Sequence, residues 1–123
     1  MKLTNENEHE YRYKTHGPKY LTQGPMVDMG VVVIGVGEEH PCHKHEHQEE
    51  SFLVLEGACA VYLDGKRVVI QKGDYLQCDV GESHMFINEF NEPFKAVFIK
   101  APHLDFKDSV YIDWKPGMEF IKD

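Results

Sequence analysis

GEEHPCHKHEHQEESFLVLEG, residues 37–57, decides how the chain is read. Four histidines crowd its first half and an apolar run fills its second. His43 and His45 are two apart, the spacing that places both imidazoles on one side of an extended chain. Glu50 then opens the alternating run Ser51-Phe52-Leu53-Val54-Leu55, which ends at a turn at Gly57. A helix is the competing reading, because His43 and His47 lie four apart and would share a helical face. Pro41 ahead of the pair and the strand-like run behind it speak against a helix, and the order of residues is not the HExxH of zinc proteases. A second stretch, residues 73–88 (GDYLQCDVGESHMFIN), brings His84 ahead of another apolar run. The two stretches together read as His43, His45, Glu50 and His84 meeting around one divalent metal inside a small β-barrel.

Outward from these stretches the chain reads as short strands divided by turns. Residues 29–36 (MGVVVIGV) are rich in β-branched side chains and too few for a buried helix, which makes them a buried strand. Gly35-Val36-Gly37 resembles the start of a dinucleotide loop, but no third glycine and no helix follows. Residues 58–63 and 66–71 flank Asp64-Gly65, a two-residue hairpin signal. Strands are expected again at 75–78, 84–88 and 94–100, with Pro102 closing the last. Without a helical period anywhere, the pattern predicts an all-β antiparallel sandwich or barrel. Residues 27–101 form that barrel, with an irregular N-terminal arm at 1–26 that has room for one short strand and a C-terminal arm at 102–123, all one domain. Phe106, Tyr111, Ile112, Trp114 and Phe120 are too many large apolar groups for a free tail. They pack across the barrel, cover its mouth or dock on a second subunit.

The totals narrow the function. At 123 residues the chain has room for one domain. Thirteen basic residues against 21 acidic ones give a net charge of −8, with the basic residues scattered, which excludes nucleic acid and anionic membrane as partners. No apolar run approaches the roughly 20 residues of a membrane span, and the first residues are too polar for a secretory signal. Cys42, Cys59 and Cys78 are odd in number and lack a CxxC pairing, so they read as reduced thiols in a cytoplasm. Cys42 neighbours His43 and therefore points to the opposite face, away from the metal.

Three imidazole nitrogens and one carboxylate oxygen suit a first-row divalent metal: iron(II), manganese, nickel, cobalt or zinc. An ion that prefers six ligands keeps two positions open for water or substrate. The bland alternative is a solvated histidine-rich loop. His40, His47, His9, His16 and His103 fit it, as surface residues or as groups standing behind the ligands.

The spacing of both stretches resembles the cupin superfamily. Its first motif places Gly37, then His43, His45, Glu50 and Gly57; its second places Gly73, Gly81, His84 and Asn88, with Asp79 where proline is usual, a departure in a turn. The resemblance implies a small jelly-roll barrel, commonly a homodimer, in which His43, His45, Glu50 and His84 are the ligands. Alternation from these residues sends Phe52, Val54, Phe86 and Asn88 inward, while Lys100, Tyr62, Tyr75 and Gln77 sit on strands from which a substrate is reachable. Cupin relatives include sugar isomerases and epimerases, lyases, decarboxylases and dioxygenases. The expectation is a metal-dependent enzyme acting on a small polar substrate, with Glu50 as ligand and general base. The alternative is a metal-dependent module that binds or senses a small ligand without catalysis.

Overall fold

Asp64 and Gly65 both adopt left-handed backbone, φ 47° and 82°, the pairing a type I′ turn requires. They join β5 (Ala58–Leu63) to β6 (Lys66–Gln71) in a hairpin whose last rung pairs Leu63 with Lys66. This computed structural model describes residues 1–122. The other strands are β1 (Gly17–Gln23), β2 (Asp28–Ile34), β3 (Glu39–His45), β4 (Glu49–Glu56), β7 (Tyr75–Cys78), β8 (His84–Ile87), β9 (Phe94–Ala101) and β10 (Ser109–Tyr111). They form two five-stranded antiparallel sheets, ordered β1-β2-β9-β4-β7 and β10-β3-β8-β5-β6. The chain passes repeatedly from one sheet to the other, giving the jelly-roll expected from the sequence. Among the described residues no helix is long and apolar enough to cross a membrane.

The core lies between the sheets. Phe52, Val54, Phe94 and Phe98 from the first sheet meet Cys59, Val61, Ile70 and Phe86 from the second. Pairing register sets inward rows across the first sheet, and two of them lie next to the site. Gly30, Phe98, Phe52 and Leu76 form the deeper row, and Asp28, Lys100, Glu50 and Cys78 the row nearer the mouth. Gly30 has no room for a side chain, since a Cβ there would meet the Lys19 carbonyl oxygen at 2.1 Å and the Phe98 ring at 2.8 Å.

Both arms contribute edge strands. Residues 1–26 are irregular apart from a single 3-10 turn and one strand, β1, of seven residues, and 102–122 supply β10; residue 123 lies outside the described residues. On the outer face of the second sheet, Trp114 is buried against Cys42 and Met85, with Tyr62, Ile112 and Phe120 around it. Of the three roles open to the arm, packing across the barrel is the one taken by Trp114. Trp114→Ala should therefore lower stability by about 3–5 kcal/mol, the range for emptying a buried aromatic site. The midpoint of denaturant unfolding measures this, and a variant as stable as the parent would place the arm off the barrel.

Candidate metal centre

Two strands of one sheet and one strand of the other build the site. His43 and His45 lie on β3, and His43 pairs directly with His84 at the start of β8. Glu50 comes from the facing sheet, near the start of β4. The four side chains are buried, and one donor atom from each lies within 4.8 Å of the others. The Glu50 carboxylate is 3.0 Å from His45 Nε2 and 3.2 Å from His84 Nε2. Neighbouring ligands around an ion with bonds of about 2.1 Å stand roughly 3 Å apart, so these separations suit one.

The ring nitrogens are set for the same purpose. Nδ1–H of His43 donates to the Pro41 carbonyl at 2.8 Å, and Nδ1–H of His84 donates to that of Glu82 at 3.3 Å. Anchored so, each ring turns Nε2 toward the common centre. His45 Nδ1 is buried without a hydrogen-bond partner among the described residues. Burial, aided by the nearby His84, pushes the His43 imidazole down to about 3. Burial alone would raise the Glu50 carboxyl, but the His45 and His84 rings, whose Nε2 atoms face it, outweigh burial and hold the group well below the usual carboxylate range. A neutral imidazole and an ionised carboxylate are the states a divalent ion needs. The cluster fits a divalent metal, whose identity the donor set leaves open among the first-row ions.

The loop between β3 and β4 is tied from outside. Asp108, buried in the C-terminal arm, accepts from the backbone N–H groups of His47 at 2.8 Å and Gln48 at 3.1 Å, and from the His47 ring at 2.8 Å. These bonds fix the four residues between His45 and Glu50. Gly81, beside Asp79 in the turn where the family motif usually has proline, donates its N–H to the His45 carbonyl at 2.7 Å. The turn keeps its place without the proline.

A cavity of about 480 Å³ opens beside the cluster, lined by His43, Glu50, His84, Phe52, Phe86 and Lys100 among others. Phe52 and Phe86 are both core and wall. Asn88 points inward but serves the backbone, donating to the Ile34 and Glu92 carbonyls. Of the four further residues on strands, Lys100 reaches the cavity. Tyr62 packs on Trp114 instead, while Tyr75 and Gln77 hydrogen-bond each other on the exposed side. Burial pulls the Lys100 ammonium down, yet the Glu50 carboxylate and Tyr20 more than offset this, so it stays charged.

His40 and His103 also line the cavity, which the sequence reading did not single out. For His40 the reason is a bulge. His40 faces Phe86 and His43 faces His84, three residues against two, so an extra residue near Pro41-Cys42 returns His40 to the inner side. Strict alternation from His43 would have sent it outward. His103 donates Nδ1–H to Asp28 at 2.7 Å, joining residues 75 apart in sequence, a contact no local pattern announces.

Comparison with known proteins agrees with this architecture. The family model for the cupin domain matches residues 30–100. The chain is 32% identical over 63 residues to the quercetin 2,3-dioxygenase of Bacillus subtilis, a match covering 51% of this chain but 19% of that enzyme. An uncharacterised conserved protein with a double-stranded β-helix domain from Klebsiella pneumoniae superposes with a TM-score of 0.73 at 21% identity, covering 84% of this chain and 91% of that one. KdgF from a Halomonas species gives 0.75 at 19% identity, covering 85% and 96%. At these identities the structural likeness is one of fold.

Proposed function

From the premise that this chain belongs to the cupin domain family, we propose that it is a divalent-metal-dependent enzyme acting on a small polar substrate. The observation that carries the reading is the convergence of His43, His45, Glu50 and His84, from both sheets, on the edge of one cavity. A divalent ion held there supplies Lewis acidity toward a substrate oxygen, or a place for oxygen chemistry. The chain's own residues do the rest. Phe52 and Phe86 keep bulk water from the reacting atoms and strengthen the field around them. The Pro41 and Glu82 carbonyls hold the rings of His43 and His84 in orientation. Glu50 is a ligand and a weak base, and Lys100 with Tyr20 supplies the polar groups that the ligands do not. Cavity size favours a substrate of sugar or hydroxy-acid dimensions. Isomerase or epimerase, lyase and dioxygenase chemistry all lie within the family's range.

The test uses protein purified without an affinity tag. Oxygen uptake is followed over small aromatic, thiol and hydroxy-acid substrates, beside a ketose–aldose isomerisation screen, before and after chelation. One assay should show turnover that chelation removes and one of the five candidate ions restores. Turnover that survives complete metal removal would sink the proposal. Silence in every assay, with a small ligand bound tightly by calorimetry, would make the protein a binding module instead.

A further inference from the structure

Lys100 occupies an unusual place for an ammonium group. It sits in the inward row near the mouth, directly across from Glu50 on one side and Asp28 on the other. Cross-strand partners on one face stand about 5 Å apart at Cβ, so Lys100 is adjacent to the metal cluster without belonging to it. Its Nζ hydrogen-bonds the Tyr20 hydroxyl at 2.7 Å and lies 5.3 Å and 6.0 Å from the Tyr20 and Phe98 ring centres. These neighbours are uncharged, and Lys100 forms no ion pair with any carboxylate among the described residues.

The cavity's own carboxylates are committed elsewhere. Asp28 is held by His103 at 2.7 Å, Asp108 by His47 and two backbone N–H groups, and Glu50 by His45 and His84, while Asp105 is fully exposed at the rim, 3.6 Å from His103. Arg12, at the exposed rim of the same cavity, also forms no ion pair among the described residues. A divalent ion with three neutral imidazoles and one carboxylate keeps one net positive charge, and the Lys100 ammonium beside it is influenced by Glu50 and Asp28 across the sheet without an ion pair to either. Charges in a poorly solvated cavity are costly unless paired.

We propose that Lys100, braced by Tyr20, docks an anionic group of the substrate, a carboxylate or a phosphate, while the substrate's other oxygens face the metal cluster. The inference rests on the metal-dependent reading above for that second contact, and it restricts the substrate to anions within the small polar class.

Calorimetric titrations of wild type, Lys100→Met and Lys100→Arg test it, using two anions and their neutral counterparts: lactate against lactamide, and glycerol 3-phosphate against glycerol. Metal content is measured on the same samples. Wild type should bind at least one anion about tenfold or more tightly than its neutral counterpart, the scale of one charge-assisted hydrogen bond. Lys100→Met should lose that preference and Lys100→Arg keep most of it. Which anion wins distinguishes a carboxylate from a phosphate substrate. Wild type that binds both members of each pair equally, or none of them, overturns the inference, as does Lys100→Met retaining full anion preference. Should Lys100→Met fail to fold, the wild-type comparison and Lys100→Arg still decide. Wild type that takes up no divalent metal yet prefers anions through Lys100 would sink the metal reading alone, whereas metal-loaded protein indifferent to charge would sink this one alone.

Discussion

His84→Ala is expected to weaken divalent-metal binding by at least about a hundredfold while leaving the barrel folded. The size follows from what is removed. Losing a residue that merely supports a ligand costs roughly 10–100-fold in affinity, and His84 is itself one of four donors. It also leaves Glu50 with one ring partner, His45, in place of two, so the remaining donors are less well ordered around the centre. His45→Ala should behave alike. His16→Ala is the control, because that ring pairs with Glu38 and belongs neither to the cluster nor to the cavity lining. Elemental analysis of tag-free protein, followed by competition with a chromogenic chelator, reads the result. Wild type and His84→Ala carrying equal, substoichiometric metal would show that the four side chains converge for another reason.

How much of this was legible in the sequence depends on which signal each element carries. Strands β5, β6 and β7 agree with their expected bounds to the residue, because alternating apolar runs there stop at turn residues. The ligand positions were legible because paired spacings recur in two stretches. Strand β1 was obscured by Lys19, which points to the outer face opposite Tyr20 and is buried there only because the N-terminal arm covers it, with the Tyr11 ring at 4.2 Å and Glu6 at 3.2 Å. Strand β3 carries histidines where an apolar residue would mark a strand, and β10 has three residues, too few for a period. Lys100 was visible as the polar end of an apolar strand, but its meaning comes from its neighbours across the sheet, Glu50 and Asp28, which only register supplies. Composition is silent on this point, since a chain with a net charge of −8 holds an unpaired ammonium in its cavity.

Acid is expected to unfold the metal-free protein steeply, between about pH 6.5 and pH 4. Burial holds His43 down at about 3 and His40 down at about 4, against 6.5 for an unperturbed histidine. Both folded values lie below the unfolded one. As the pH falls past 6.5 the unfolded chain therefore takes up two protons that the folded barrel refuses, and equilibrium moves toward the unfolded chain. Stability is full above that pH and declines until each folded value is reached. Each group contributes about 1.4 kcal/mol per pH unit, so the pair costs roughly 5 kcal/mol between pH 6.5 and pH 4.5. That loss matches the lower end of the whole stability of a small domain, about 5–15 kcal/mol. Glu50 adds to it in more acid solution, since its folded carboxyl stays ionised below the range where the unfolded one is protonated. Urea unfolding in the presence of a chelator, at several pH values from 7.5 to 4.5, measures the slope. His40→Gln removes one of the two refusing rings and should cut the slope by about half near pH 5.5, and saturating metal, which binds the folded state alone, should move the transition to lower pH. Stability that stays flat from pH 7.5 to 4.5 would mean that the rings accept protons inside the barrel, and the neutral donors on which the metal centre depends would be lost with that result.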